Sequence, residues 1–228
     1  MNMLSGEIAD ERLNDELVFP VLGTNLEGKD YCTIDLSETH DQTGDEGIDT
    51  YQGLEGYVRR RLELKKAKVA YGGYREKRNI YARSGHFHSE TENRNIHLGV
   101  DLWAPEGTPV FAPLSGVVHS SRYNDQYLDY GATIILAHEF RGISFFALYG
   151  HLSVASLEGC QKGEVIEQSQ PFASLGAKNE NGGWVPHLHL QMILDMEGWE
   201  GDYPGVCSEN EKRKYFKSCP NPIWLCFV

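Results

Sequence analysis

Two imidazoles lie two residues apart in Val185-Pro186-His187-Leu188-His189-Leu190-Gln191. On a strand, successive side chains point to opposite faces, so His187 and His189 share one face while Leu188 and Leu190 enter the other. Two rings on one face of an apolar strand need hydrogen-bond partners or a metal, because a buried polar group left unpaired costs on the order of a few kcal/mol. A second cluster, His97-Leu98-Gly99-Val100-Asp101, sets an imidazole and a carboxylate four residues apart, with a glycine that permits a bend or a close approach. Neutral imidazole with carboxylate suits Zn²⁺, and catalytic zinc sites use three protein ligands and keep the fourth position for water. His97, Asp101 and one histidine of the His187/His189 pair make up such a set. A third element, Ala147-Leu148-Tyr149-Gly150-His151-Leu152-Ser153, ends an aromatic run at a glycine and adds another histidine. It is a weak signal alone.

Positioning these groups falls to the segment after Gly72-Gly73, where short β-branched and aromatic runs are cut by Gly, Pro and Asn. That texture predicts many short antiparallel strands, among them 108–111, 116–121, 132–137, 144–149 and 187–194. Turns are expected at Pro105-Glu106-Gly107, Arg141-Gly142 and Asn181-Gly182-Gly183. Before it, Leu54, Tyr57, Val58, Leu62 and Leu64 recur at helical spacing, which predicts one amphipathic helix over about 51–69. The basic residues between them, Arg59-Arg60-Arg61 and Lys65-Lys66, read as its solvated face. Residues 1–69 thus form an extension, irregular before the helix, and 70–196 the main domain. The stretch 197–228, with Pro204, Pro220 and Pro222, reads as a tail of coil and short turns packed on it.

The chain of 228 residues is long enough for one good core and carries 33 Asp and Glu against 21 Lys and Arg, a formal charge of −12. Such a field repels polyanions, so nucleic acid is not expected as a partner. No apolar run approaches the roughly 20 residues of a membrane-spanning helix. Met1 to Asp15 is polar and acidic rather than basic then apolar, so a cytoplasmic location is expected, the alternative being export by a leaderless route. Five scattered cysteines without a CxxC pair read as free buried thiols, with a Cys207–Cys219 bridge the competing possibility. The oligomeric state is not legible.

HLGVD at 97–101, YGHLS at 149–153 and HLHLQ at 187–191, in that order, resemble the zinc metallopeptidases of the lysostaphin and LytM type, the M23 peptidases. APEGTPVFAPLSGVV at 104–118 and GGWVPHLHLQ at 182–191 join the likeness, which covers roughly residues 70–196. The resemblance implies a mainly β fold, a Gly-rich antiparallel sheet of LytM type with a groove for an extended peptide. It implies one Zn²⁺ held by His97, Asp101 and His189, with His151 and His187 as unliganded catalytic residues, and leaves open which of those two is the general base. The implied reaction is endopeptidase hydrolysis of peptide bonds, in peptidoglycan or related Gly- and D-amino-acid-containing peptides. M23-like domains that lack metal ligands serve as binding or regulatory modules, and none of the three ligands is missing here. The tail sequences GDYPGV and CPNP also resemble those of M23-like domains joined to kinase-like and aminotransferase domains in larger cytoplasmic proteins, which keeps a non-wall substrate in view.

The remaining histidines have plainer readings. His86-Phe87-His88 copies the two-residue spacing but precedes a polar run, so a surface loop is expected, and His40, His119 and His138 read as structural. Residues 1–69 match no part of the M23 pattern; a packing extension is favoured over a segment that occludes the groove.

Overall fold

The computed structural model describes residues 18–23, 26–37, 47–83 and 93–226. Among them, strands run β1 (Tyr31–Thr33), β2 (Val69–Gly72), β3 (Ile96–His97), β4 (Val100–Trp103), β5 (Pro109–Phe111), β6 (Gly116–Asn124), β7 (Gly131–Phe140), β8 (Ile143–Leu152), β9 (Val165–Ile166), β10 (Pro171–Ser174), β11 (His187–Ile193) and β12 (Val206–Cys207). The helices are α1 (Tyr51–Lys65) and α2 (Lys212–Ser218). Eight strands form one sheet in the order β1-β2-β4-β11-β8-β7-β6-β9, beside the pairs β5/β10 and β3/β12. The fold is mainly β, as the strand pattern predicts.

Two features depart from that pattern. β1 and β2 run parallel, and α1 makes the crossover between them that a parallel pair requires. The tail is more ordered than coil: β12 pairs with β3, and α2 follows it. Elements of two and seven residues are too short to leave a periodicity, so the proline-rich texture hid them.

α1 begins where the Thr50 hydroxyl accepts a hydrogen bond from the Gly53 amide, and it ends at Lys66, whose φ of 53° breaks the helical path. The helix is therefore shorter than the expected 51–69. Leu54 and Val58 are buried, Tyr57 and Leu62 lie half-buried, but Leu64 is 73% exposed and belongs to the outer face.

The sheet's two faces carry different loads. Val100, Leu102, Ile134, Leu136, Tyr149, Leu188, Leu190 and Met192 fill the main core on one face. Opposite lie two smaller apolar clusters. One joins Ile34, Leu36, Leu54 and Val58 to Trp103, Tyr81 and Trp184; the other joins Ile96, Leu98 and Ile193 to Tyr203, Tyr215 and Cys219. All five cysteines are free and buried, so no Cys207–Cys219 bridge forms. Among the described residues no helix is long and apolar enough to cross a membrane.

Candidate metal centre

On β11 the alternation sends Leu188 and Leu190 into the main core and turns His187, His189 and Gln191 the other way, between the two smaller clusters. β4 lies antiparallel to β11 with Asp101 directly opposite His189. β3 places His97 one bend earlier, and Gly99 in that bend lets β11 come close. A Cβ on Gly99 would meet the Leu190 carbonyl at 2.6 Å and the His189 ring at 2.7 Å.

Three atoms converge: His97 Nε2, Asp101 Oδ1 and His189 Nδ1, separated by 2.9, 3.2 and 3.3 Å. Ligands at about 2.0–2.2 Å from a tetrahedral zinc ion lie roughly 3.3–3.6 Å apart, so the triangle is close to the face of such a site. These residues form a group able to hold a metal ion.

Their outer partners decide the protonation. His97 Nδ1 is 3.0 Å from the Gly73 carbonyl, which can only accept, so Nδ1 carries the proton and Nε2 is bare. His189 Nε2 donates to Gln191 Oε1 at 3.0 Å, while the Gln191 amide nitrogen donates to the Pro204 carbonyl and to Cys219 Sγ, which fixes the orientation of that amide. His189 Nδ1 is therefore bare as well. Two imidazole lone pairs and a carboxylate oxygen face one another with no hydrogen between them, an arrangement that calls for a cation.

Electrostatics agree. Burial pulls the His97 pKa down to about 4 against the opposing pull of Asp101, so the ring is neutral near pH 7. Burial acts to raise the Asp101 pKa, yet His97, Arg78 and His187 hold its carboxyl well below the usual carboxylate range. Asp101 Oδ2 accepts from Arg78 Nη1 at 2.7 Å.

His187 and His151 stand beside the triad, with ring centroids 4.2 Å apart. His187 stacks on Trp103, donates from Nδ1 to the Val185 carbonyl at 2.7 Å, and directs Nε2 to within 3.8 Å of Asp101 Oδ1. His151 donates from Nδ1 to the Asn181 carbonyl at 2.9 Å, which leaves its Nε2 bare. Its φ is 62°, a left-handed conformation rare for a non-glycine residue. The Asn181 side chain holds its own turn, residues 181–184, by accepting from the amides of Gly183 and Trp184. Burial lowers the pKa of both rings, that of His151 well below its ordinary value, where His187 and His189 add to the effect.

All five predicted residues line one cavity of about 270 Å³. Leu36 and Leu54, from the segment before residue 70, form part of its wall with Tyr81, Trp103 and Trp184. His119 and His138 lie elsewhere and have local partners, Ser120 Oγ and the Ser115 carbonyl. His40, His86 and His88 fall outside the described residues. Sequence reasoning missed Gln191, Gly73 and Arg78. Gln191 was within reach, because the alternation that pairs His187 with His189 puts it on the same face; nothing local marks the other two.

Residues 95–200 match the model of Peptidase family M23. Relatives include the peptidoglycan DD-endopeptidase ShyC of Vibrio cholerae serotype O1, 31% identical over 108 residues, 47% of this chain and 22% of that protein. The DD-carboxypeptidase/endopeptidase Mpg of Neisseria meningitidis serogroup B is 33% identical over 102 residues, 44% of this chain and 20% of that protein. The matched stretch thus spans about a fifth of the length of these relatives. Among solved structures, the catalytic domain of lysostaphin from Staphylococcus simulans is 22% identical with a TM-score of 0.36, covering 54% of this chain and 81% of that one. A zinc containing peptidase from Vibrio cholerae is 25% identical with a TM-score of 0.36, covering 46% of this chain and 29% of that one.

Proposed function

We propose that this chain is a Zn²⁺-dependent endopeptidase whose metal is held by His97, Asp101 and His189 and whose proton-handling groups are His151 and His187. The observation that carries this is the convergence of two bare imidazole nitrogens and one carboxylate oxygen within 3.3 Å of one another. The M23 match over residues 95–200 supports peptide-bond hydrolysis as the reaction class. The relatives, a peptidoglycan DD-endopeptidase and a DD-carboxypeptidase/endopeptidase, support peptidoglycan peptides as the first substrate class to test.

When bound, the ion supplies Lewis acidity that polarises a scissile carbonyl and eases the ionisation of water. The rest is work for the chain itself. His151 and His187 both commit Nδ1–H to a backbone carbonyl, so each presents Nε2 as a proton acceptor. Burial keeps both neutral, the state a general base needs near pH 7. One proton taken by either ring turns it into a donor beside a neighbour that still accepts, so the pair can return that proton to a leaving amine. Trp103 and Trp184 fix the plane and position of His187.

Zinc-loaded protein is incubated with purified peptidoglycan and, separately, with a mixed peptide library, and the products are read by mass spectrometry. New peptide termini that disappear with His187→Ala support the proposal, and the productive arm identifies the substrate class. Metal-loaded protein that cleaves neither sample would leave a binding module in its place.

A further inference from the structure

We propose that Arg78 is a positioning residue of the metal centre, holding Asp101 as a one-oxygen ligand and taking its own position, through Glu76, from the N-terminal segment. This rests on the reading of His97, Asp101 and His189 as metal ligands and extends it to residues outside the matched domain.

Arg78 is 3% exposed, and its side chain reaches three partners. Nη1 lies 2.7 Å from Asp101 Oδ2 and 3.2 Å from the Tyr81 hydroxyl, and Nε lies 2.5 Å from Glu76 Oε2. The other Glu76 oxygen accepts the backbone amide of Leu36 at 2.9 Å. An unbroken chain of charge-assisted hydrogen bonds therefore runs from Leu36 through Glu76 and Arg78 to Asp101. A carboxylate with both oxygens free can close on a divalent ion with either one or both. Here the guanidinium engages Oδ2, so Oδ1 alone faces His97 Nε2 and His189 Nδ1. One-oxygen binding keeps the protein donor atoms at three and leaves a position for substrate or water.

The surrounding backbone is built for this contact. Residues 75–78 run beside β3, joined to it by hydrogen bonds from Arg75 N to His97 O, from His97 N to Glu76 O and from Arg78 N to Asn95 O. Gly73, at φ 102°, leaves the space that the guanidinium occupies: a Cβ there would lie 2.0 Å from Arg78 Nη2 and 2.9 Å from His97 Nδ1. One glycine thus admits the outer partner of Asp101 and accepts the proton of His97.

The full chain is loaded with Co²⁺ to read the coordination number from its visible absorption, and Zn²⁺ affinity is measured by competition with a chelating dye. With Arg78→Met, Zn²⁺ binding is expected to weaken about ten- to hundredfold. The visible bands should lose intensity as the freed Asp101 oxygen raises the coordination number. Arg78→Lys has one compact donor group for two carboxylates and should fall between, and Glu76→Gln should weaken binding less than Arg78→Met. Melting of the metal-free proteins confirms that each is folded, since a purely structural role would lower stability and leave spectrum and affinity of the folded protein unchanged. Wild-type spectrum and affinity in folded Arg78→Met overturn the proposal; if that variant does not fold, the same result in Arg78→Lys overturns it. Wild-type protein that takes up neither ion refutes the metal reading itself, and this proposal with it.

Discussion

On the N-terminal side of the site, the group that holds a predicted ligand is a buried cation; on the C-terminal side it is a neutral amide. Arg78, anchored by Glu76 and Leu36, meets the carboxylate of Asp101. Gln191, anchored by the Pro204 carbonyl and Cys219 Sγ, meets the imidazole of His189. The difference follows from the inner groups. A buried carboxylate needs a counter-charge before any ion arrives, whereas a neutral imidazole needs only an acceptor for the proton on its far nitrogen. Both terminal segments of the chain thus shape the centre, although the M23 match covers only 95–200.

The contrast can be broken most sharply at the inner groups. His189→Ala removes a proposed ligand outright, so metal content after purification without added zinc should fall to background, beyond the roughly hundredfold losses typical of outer-partner changes. Equal metal in both proteins would remove the centre from the argument. Gln191→Leu tests the neutral side alone: it frees the His189 ring and strands the Nε2 proton, and Zn²⁺ affinity should drop about ten- to hundredfold by dye competition. An unchanged affinity would mean that the amide is packing rather than orientation.

Acid should separate the sides next. The His97 pKa is lowered from an ordinary 6.5 to about 4, so the folded protein binds this proton less readily than the unfolded chain. The stability from a neutral His97 is complete above about pH 6.5 and is lost as pH falls towards about 4. Chemical denaturation of metal-free protein at a series of pH values should show stability rising through that window. A flat profile would contradict the buried neutral ring.

The smallest effect on the metal is expected from Leu54→Ala, which lies in the wall contributed by α1. It should lower stability by about 2–5 kcal/mol through lost burial and the cavity left behind. Metal affinity of the folded variant should stay within about twofold, because Leu54 makes none of the polar contacts that orient the ligands. A large affinity loss would show that apolar packing, rather than the Leu36–Glu76–Arg78 chain, transmits the influence of the N-terminal segment.

Much of the candidate site was legible because alternation along a strand is a local property. His187 and His189 shared a face on spacing alone, and the pairing of His97 with Asp101 needed only a glycine bend. The longer strands β6, β7, β8 and β11 carried enough residues for their pattern to show. β3, β9 and β12, of two residues each, did not. Neither did the positive φ of His151, which lies past the expected strand 144–149 yet inside β8 and is held there by the Tyr130 carbonyl and the Asn181 turn.

The sequence by itself determined which side chains could bind a cation, that a β framework carries them, and that the chain is acidic with scattered thiols, since these depend on residue type and near-neighbour spacing. Only the tertiary structure decided that Asp101 stands opposite His189, that Arg78 and Gln191 complete their surroundings, and that Leu36 and Leu54 wall the cavity. The physical reason is register. Which residues of two distant segments face each other is set by the joint packing of three apolar clusters, and no short stretch of chain contains that information.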